Sequence, residues 1–380
     1  MLPCAHIRHR GIGVFTSKKL EVDDALDCYE RYEALDWTDG LPVIPPTEAS
    51  VRAFLEHAGL ASGYVIGVYG DRATAITAEK VAINAVMAGC RAEYMPVVVA
   101  AVEALTDPAF HLNHIASMSS PWPLLIISGP VVNELSMAGG EYAFGSTRRS
   151  NATIGRAVSL LLANCFGARV GGVQQGSMGN PVRYSFLLAE NVDTPWEPLR
   201  IELGFRHDES VVTLFPALTG PVTAVTPYYG TSGPAIAEPL GETIASGYFT
   251  PGTYVVHLTT SFVEKVAKAG WGKRDLKDYL LEHTRSSVAD LRKRGRWDRD
   301  GMLTGKLPPP APEDADRWVH LFKREPWYEH MWDDSQKDIR RDIYIVVAGG
   351  NAGAFASVVP PYLLAANPVT RAIKKAGAKR

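Results

Sequence analysis

Cysteine is scarce in this sequence. The 380 residues contain four cysteines, and none of them belongs to a C-x-x-C pair. So few cysteines in so long a chain exclude a disulfide-stabilised secreted scaffold, and the missing pair excludes the usual dithiol redox motif. Free thiols are typical of a reducing compartment, so we predict a cytoplasmic protein.

Long apolar runs are also missing. A bilayer-spanning helix needs about 18 consecutive apolar residues, and the longest run, MPVVVAAVEAL, is interrupted by Glu103. The first residues, MLPCAHIRHRGIGVFTSKK, lack the continuous apolar core of a signal peptide. The sequence therefore predicts no membrane partner and a loose leader at its start.

An excess of one charge sign is the third absence. The formal net charge is -2, and no basic stripe follows any predicted element, so nucleic-acid binding has little electrostatic support. Apolar residues make up 46% of the chain and charged residues 21%, as in ordinary globular proteins. The length predicts two domains, or one large domain with an appended lobe.

Apolar runs bounded by turn residues alternate with segments of helical spacing, a pattern typical of layered α/β folds. Predicted strands include YVIGVYG, PLLIISGP, LRIELGF, TYVVHLTT and DIYIVVAGG. A helix at 22–35 places Cys28 on its apolar face, and Thr47 and Thr77 suit helix N-caps. The sequence predicts an α/β protein with a layered mixed sheet, flanking helices and an additional mainly helical lobe.

The chain divides into four predicted parts. These are an N-terminal helical and extended segment at 1–62, an α/β core domain at 63–262, a mainly helical lobe at 263–340, and a C-terminal strand at 341–380 that returns to the core. The proline-rich stretch GKLPPPAPEDAD at 305–316 is typical of a linker.

Cys90 is the first candidate for chemistry. It lies in the break between two predicted helices, because Pro96 lacks an N–H and is tolerated only in the first turn of the second helix. A helix start and the neighbouring Arg91 would both stabilise a thiolate and lower its pKa from roughly 8.5. The alternative is that Cys90 is a small buried apolar side chain, the usual fate of a free cysteine.

The stretch GSTRRSNATIGRA at 145–157 is the second candidate. Ser150 or Asn151 is predicted to cap a helix whose free N–H groups and nearby arginines favour a carboxylate or phosphate. The alternative is a surface loop with solvated arginines. The predicted ligands of a small anionic substrate are Arg91, Arg148, Arg149, Asn151, Thr153 and Arg156.

Three acids are candidates for proton transfer. Glu190 follows a predicted strand and precedes Trp196, Asp39 lies in the proline-stiffened segment TDGLPVIPP, and Glu93 lies near Cys90. An ordinary turn explains the positions of Glu190 and Asp39 about as well as a role in proton transfer does.

Two further motifs have weaker signals. His111 and His114, spaced i, i+3, could hold a metal if they shared a helix face. The glycines of VVAGGNAGAFAS are read as a tight turn, because no G-x-G-x-x-G pattern is present.

One weak internal repeat is visible. AINAVMAGC and AVSLLLANC both run from an apolar helix into a terminal cysteine and lie 75 residues apart. A duplicated strand–helix unit and a chance likeness between alanine-rich helices both explain it.

Several segments together resemble a known group. DGLPVIPPT, AINAVMAGCRAEYMPVVVAAVEAL, NATIGRAVSLLLAN, AENVDTPWEPL and VVAGG are similar to segments of large bacterial proteins that are associated with small UGSC-motif (seleno)proteins. The resemblance runs from about Trp37 to Thr370. It implies that Cys90 is a working thiol, that a small UGSC-type protein is a partner, and that the reaction cleaves or reduces a carbon–heteroatom bond.

Three functional hypotheses follow. The first is a cysteine-dependent enzyme, or catalytic subunit, in which Cys90 attacks a small anionic substrate and Glu93, Asp39 or Glu190 moves protons. The second is a metal-dependent hydrolase or lyase that uses His111 and His114. The third is a non-catalytic binding subunit of a homo- or hetero-oligomer. No cofactor is indicated by any motif.

Overall fold

The computed structural model describes residues 13–70, 74–145, 147–224, 230–247, 252–295, 317–323, 342–362 and 366–375. The predicted linker at 305–316 lies outside the described residues. Among the described residues, no helix has both the length and the apolar character that crossing a bilayer requires.

The described chain alternates helices and strands, so the predicted α/β class is confirmed. The helices are α1 (Ala25–Ala34), α2 (Glu48–Ala58), α3 (Ala78–Met87), α4 (Met95–Leu105), α5 (Val131–Glu134), α6 (Arg149–Phe166), α7 (Leu199–Glu202), α8 (Gly233–Ser246), α9 (Thr260–Lys268), α10 (Lys273–His283) and α11 (Val288–Lys293). The strands are β1 (Val65–Tyr69), β2 (Thr74–Thr77), β3 (Trp122–Ser128), β4 (Leu187–Ala189), β5 (Val211–Ala217), β6 (Val222–Ala224), β7 (Thr253–Leu258), β8 (Arg285–Ser287), β9 (Trp318–His320), β10 (Asp342–Val347), β11 (Ala356–Val359) and β12 (Val369–Ala372).

Two four-stranded mixed sheets organise the fold. The first has the order β12-β5-β3-β4, in which β3 and β4 are parallel and the other pairs are antiparallel. The second has the order β10-β7-β11-β6, in which β10 and β7 are parallel and the other pairs are antiparallel. Every residue of β3, β5 and β7 is buried, which explains their continuous apolar sequences.

Both sheets have one parallel pair of strands at one edge followed by two antiparallel pairs. The chain crosses from each sheet to the other to add its last strand. Chain order runs from β3, β4 and β5 of the first sheet into β6 of the second, and from β7, β10 and β11 of the second sheet into β12 of the first. The two crossing segments bond to each other, since Leu218 N donates to Pro360 O at 3.0 Å and Tyr362 N donates to Pro216 O at 2.7 Å. The two sheets therefore repeat one arrangement of strands. The helices that end near Cys90 and Cys165 are not the elements that form this repeat.

Each sheet has its own hydrophobic core. The first core joins α2, α3, α4 and α6 to the first sheet, and the second joins α8, α9 and α10 to the second sheet. Residues of β7, β10 and β11 also join the first core, so the two cores are in contact, and β12 returns to the first sheet. The predicted boundaries at 62, 262 and 340 stay a prediction.

Several predicted helix ends are confirmed. The Oγ1 atoms of Thr47 and Thr77 accept hydrogen bonds from the backbone N–H groups of Ser50 and Lys80, and Gly59 ends α2 in the left-handed conformation. Cys28 is 1% exposed, as predicted for a core position.

Three local predictions are wrong. LRIELGF does not form a strand: Leu199–Glu202 is the short helix α7, which follows Pro198 and places Arg200 in the interior. YVIGVYG is a strand but only half buried, since β1 pairs with β2 alone. Helix α6 begins at Arg149 with Arg148 as its N-cap and has no side-chain cap, so neither Ser150 nor Asn151 caps it.

His257 joins the carboxyl end of β7 to that of β10. Its Nε2 lies 2.9 Å from the oxygen of Ala348 and its Nδ1 lies 3.1 Å from the hydroxyl of Ser357. A carbonyl oxygen only accepts, so Nε2 carries the proton and Nδ1 accepts from Ser357. Burial lowers the pKa of His257 to about 4, although the bond to Ala348 opposes the shift.

We expect acid to destabilise the protein through His257. Its pKa is depressed in the folded state, so the unfolded chain binds the proton more readily between about pH 6.5 and 4, and stability falls as the pH falls through that range. The loss reaches roughly 3 kcal/mol, since one pKa unit corresponds to about 1.4 kcal/mol. Urea unfolding at pH 7.5 and pH 4.5 measures it. The variant His257→Gln, which cannot take up a proton, should show a smaller difference between the two pH values, and an equal difference would contradict this assignment.

Candidate functional site

Cys90 lies in the interior beside the start of α6. It is 5% exposed, and its Sγ donates a hydrogen bond to the backbone oxygen of Thr153 at 3.3 Å. Arg149 holds the same turn, since its Nε donates to Gly89 O at 2.8 Å and its Nη2 donates to Cys90 O at 3.3 Å. The structure therefore does bring Cys90 and the arginine-rich helix start together.

The predicted thiolate at Cys90 is nevertheless wrong. Burial raises the pKa of the Cys90 thiol to about 12, although the bond to Thr153 and the charges of Arg149 and Arg156 oppose the shift. Desolvation outweighs the two arginines because a buried thiolate loses its hydration entirely. Cys90 is a protonated core thiol at neutral pH, which matches the alternative interpretation of this residue.

The other predicted anion ligands already have partners within the protein. Asn151 exchanges hydrogen bonds with the backbone N–H and C=O of Ala138, at 2.9 and 3.1 Å. The Oγ1 of Thr153 donates to Arg149 O at 2.7 Å. Arg148 is exposed at the helix start. These contacts fix Ala138 on α6 and leave the amide of Asn151 committed to it.

Arg156 and Asp39 form the best-defined ion pair in this region. The Nε and Nη2 of Arg156 donate to the two carboxylate oxygens of Asp39 at 2.8 and 2.7 Å, and Nη2 also donates to Leu41 O and Pro42 O. A bidentate pair of this kind fixes both position and orientation. Asp39 thus attaches the segment 37–46 to α6 and is not a free base.

Glu190 lies at the end of β4, next to the end of β3. Its carboxylate accepts hydrogen bonds from the Ser128 hydroxyl and, at 2.9 Å, from Leu199 N. Arg200 Nη1 donates to the same hydroxyl at 3.2 Å. Burial raises the pKa of Glu190, although the bonds from Ser128 and Leu199 and the charges of Lys273 and Arg200 oppose the shift. Glu190 is 2% exposed, so it holds strand ends together and does not contact solvent.

The remaining candidates lie apart from one another. Glu93 is partly exposed and pairs loosely with Arg91 at 3.5 Å. His111 is exposed and adopts the left-handed conformation at the end of a short 3₁₀ turn, and the side chain of His114 lies outside the described residues. Among the described residues, no three His, Cys, Asp or Glu side chains are grouped to hold a metal ion. The glycine-rich segment after β10 forms a tight turn in which Gly349 has a φ of 100°.

A cleft of about 700 Å³ opens on the opposite face of the α3–α6 pair. We call it the α3–α6 cleft. Its walls are the extended segment 15–20, α1, the segment 37–47, the first turn of α2, and one face each of α3 and α6. The volume lies within the range of about 300–1,000 Å³ that is usual for small-molecule sites.

Glu79 attaches the segment 15–20 over this cleft. Its carboxylate accepts hydrogen bonds from Thr16 N at 3.0 Å and Ser17 N at 2.9 Å. Burial acts to raise the pKa of Glu79, but the bonds from Thr16 and Ser17 together outweigh it and hold the pKa below its ordinary value. Phe15 packs under the guanidinium of Arg52, whose Cζ lies 5.1 Å from the ring centre. The wall of the cleft is therefore built by side chains from three parts of the chain.

One side of the α3–α6 cleft is aromatic. The rings of Tyr32 and Trp37 lie 5.3 Å apart between centroids in an edge-to-face arrangement, and both line the cleft. Burial raises the pKa of Tyr32 to about 12, and the neighbouring Cys28 adds to the shift. The phenol is neutral at physiological pH, so this side offers apolar ring surface to a ligand.

The other side of the α3–α6 cleft carries positive charge. Three lysines and two glutamates line it, so its net charge is positive. Glu79 is occupied by backbone N–H groups, and Lys19 pairs with Glu48. Lys18 and Lys80 have no carboxylate partner among the described residues. An anionic group would find its counter-charge at these two lysines.

Cys165 lies at the floor of the α3–α6 cleft. Its Sγ accepts a long hydrogen bond of 3.9 Å from Asn84 Nδ2, and Asn84 Oδ1 accepts from Asn164 Nδ2 at 2.8 Å. Arg169 Nη2 donates to Asn164 Oδ1 at 2.9 Å, and Arg169 Nη1 donates to Asp36 at 2.7 Å. The two asparagines are thus fixed by a hydrogen-bond chain, and the thiol is the end of that chain that faces the cleft.

Burial raises the pKa of Cys165 to about 11, although the charges of Lys80 and Arg169 oppose the shift. The sequence did not indicate Cys165 as a catalytic residue, because no arginine is adjacent to it and the helical spacing of apolar residues continues through it. One signal was present: the repeat that pairs Cys90 with Cys165 contains both cysteines that contact the α3–α6 pair.

No family model, curated protein or solved structure matches the chain. The resemblance to proteins associated with UGSC-motif (seleno)proteins stays a prediction. Support for a function therefore comes from the geometry and charge of the α3–α6 cleft.

Proposed function

We propose that the chain is a thiol-dependent enzyme subunit that binds a small organic anion in the α3–α6 cleft, with Cys165 in the role that the sequence predicted for Cys90. The observation that carries the proposal is the cleft itself, which combines a volume of about 700 Å³, an aromatic side, a thiol and two lysines that have no carboxylate partner among the described residues. A reducing cytoplasmic location is part of the proposal, because it would keep Cys165 as a free thiol.

The ligand is best described as an aromatic or otherwise apolar carboxylate. The rings of Tyr32 and Trp37 offer surface to a flat apolar body, and Lys18 and Lys80 offer charge to a carboxylate. A ligand that spans the cleft would place its middle over Cys165. This combination favours an amphipathic anion over a sugar or a nucleotide.

The reaction open to this arrangement is attack by Cys165 on a carbon that bears a leaving group. The sulfur–carbon bond forms, the carbon–heteroatom bond breaks, and its electron pair leaves with the heteroatom. The thiol proton passes to the departing group or to solvent. A thiol with a raised pKa is a slow nucleophile at neutral pH, and the nearby positive charge of Lys80 lowers the cost of ionising it.

Calorimetric titration with phenylacetate tests the binding step. We expect saturable binding to the full-length protein and no binding of the neutral analogue phenylacetamide, because the cleft supplies uncompensated positive charge. Lys80→Gln should weaken phenylacetate binding about fivefold, the worth of one exposed ion pair.

The matched control is Lys268→Gln, which removes an exposed lysine from α9 in the second core. It should bind phenylacetate as the wild type does. Equal affinity for phenylacetamide, or equal weakening by the two lysine variants, would exclude the proposed anion recognition. The metal-dependent hypothesis gains no support from the described histidine, and the non-catalytic binding hypothesis requires that Cys165→Ala binds normally and that the wild type turns over no ligand.

A further inference from the structure

A second cavity lies between the loop that follows α6 and the start of β3. Its volume is about 230 Å³, and it shares no lining residue with the α3–α6 cleft. The polar side chains that line it include Ser120, Gln174, Ser177, Asn180 and Arg183, and the ring of Trp122 forms part of the wall. No acidic side chain lines this cavity.

Two of these side chains are buried with unused hydrogen-bonding groups. Ser120 and Gln174 are each 6% exposed, and neither side chain makes a hydrogen bond with a described residue. Both side chains line the cavity and their polar atoms are open to it, so a molecule in the cavity can complete their hydrogen bonding.

The loop that follows α6 passes very close to Ser120 at Gly176. Ser120 has a φ of 55°, a conformation that L-residues rarely adopt, and a Cβ on Gly176 would lie 1.6 Å from the Ser120 hydroxyl oxygen. Glycine at 176 is therefore required for the loop to pass over Ser120. Strain of this kind persists where the surrounding structure holds a functional geometry.

Arg183 adds the charge. Its Cζ lies 5.6 Å from the centre of the Trp122 ring, and it has no carboxylate partner among the described residues. The indole is fixed in turn, because its Nε1 donates to Ser159 Oγ at 3.1 Å. A planar guanidinium held over a fixed ring presents its donors in one plane, as bidentate recognition of an oxyanion requires.

We propose that this second cavity binds a small carboxylate. Arg183 supplies two parallel donors, and the Gln174 amide and the Ser120 hydroxyl supply further ones, so a carboxylate satisfies the buried groups and neutralises the arginine at the same time. The cavity holds the volume of about seven water molecules, which fits a carboxylate with two to five carbon atoms whose chain lies against Trp122 and Val170. The apolar surface of Trp122 and Val170 favours a carboxylate that carries a short hydrocarbon chain over inorganic phosphate.

Calorimetric titration of the full-length protein with acetate, propionate, succinate, inorganic phosphate and the neutral propionamide tests the site. We expect saturable binding of at least one carboxylate and a loss of about tenfold in its affinity in Arg183→Gln, the usual effect of removing a charged hydrogen bond. Gln174→Leu should also weaken binding. Arg274→Gln, which removes an exposed arginine of α10, should leave the affinity unchanged. Circular dichroism establishes that each variant is folded.

Three results would overturn the proposal. They are no saturable binding of any carboxylate, unchanged binding in a folded Arg183→Gln protein, and tighter binding of phosphate or propionamide than of every carboxylate. The site is separate from the α3–α6 cleft, since the two cavities share no lining residue.

Discussion

Iodoacetamide is expected to alkylate Cys165 in the native protein, while Cys90 and Cys28 stay unmodified. Cys165 lines the α3–α6 cleft, whereas Cys28 and Cys90 are 1% and 5% exposed. The reaction at pH 7 should be roughly two orders of magnitude slower than that of a free cysteine peptide, because burial raises the pKa of Cys165 to about 11. The rate should then rise about tenfold per pH unit up to the pKa, since the thiolate is the reacting species.

Peptide mass spectrometry after timed labelling measures each cysteine separately. Cys165→Ser removes the reactive position and should leave no labelled thiol among the three cysteines of the described residues, and unfolding in urea should make all thiols react at similar rates. Faster labelling of Cys90 than of Cys165 in the folded protein would show that the buried position of Cys90 is wrong. Labelling of Cys165 as fast as a free peptide at pH 7 would contradict its raised pKa.

Removing β12 is expected to prevent the first sheet from folding. A chain that ends at Tyr362 lacks β12 (Val369–Ala372), which pairs residue by residue with Val211–Leu214 of β5. It would leave β5 as an unprotected and fully buried edge, and such apolar edges pair with other chains. We expect an aggregated or unfolded product, although the missing residues lie at the far end of the sequence from the first core.

The matched control is a chain that ends at Lys375, which keeps β12 and should fold as the full-length protein does. Fragments 1–220 and 221–380 make a complementary test, because the second fragment holds β12, the strand that completes the first sheet. They should be soluble together and co-purify. A monomeric, cooperatively folded fragment 1–220 would show that strand exchange is not required for the first core.

Local chemistry predicted much of the fold. Thr47 and Thr77 cap the starts of helices with their side-chain oxygens, and Gly59, which has no side chain, ends a helix in the left-handed conformation. The buried strands are visible in the sequence as apolar runs. The exchange of β6 and β12 was not predictable, because it depends on pairings between residues more than 100 positions apart that leave no pattern along the sequence. LRIELGF shows the same limit, since the sequence pattern predicts a strand and gives no sign that Arg200 is buried in a short helix.

The candidate site was predicted less well than the fold. The sequence correctly suggested that Cys90 meets the basic start of α6, but it could not show that the cysteine faces the interior. Desolvation depends on everything packed around a group, so its sign at Cys90 is opposite to that expected from Arg91 and the helix start. The α3–α6 cleft was invisible for a related reason: its lining comes from segments between residues 15 and 165.

The most direct measurement of the central claim is the rate of Cys165 alkylation with and without bound phenylacetate. A carboxylate seated between Lys80 and the aromatic side covers the sulfur, so labelling at a fixed pH should slow severalfold and follow the same saturation curve as the calorimetric titration. Phenylacetate that binds without changing the Cys165 labelling rate occupies some other part of the protein, and that result would contradict the assignment of the α3–α6 cleft as the substrate site.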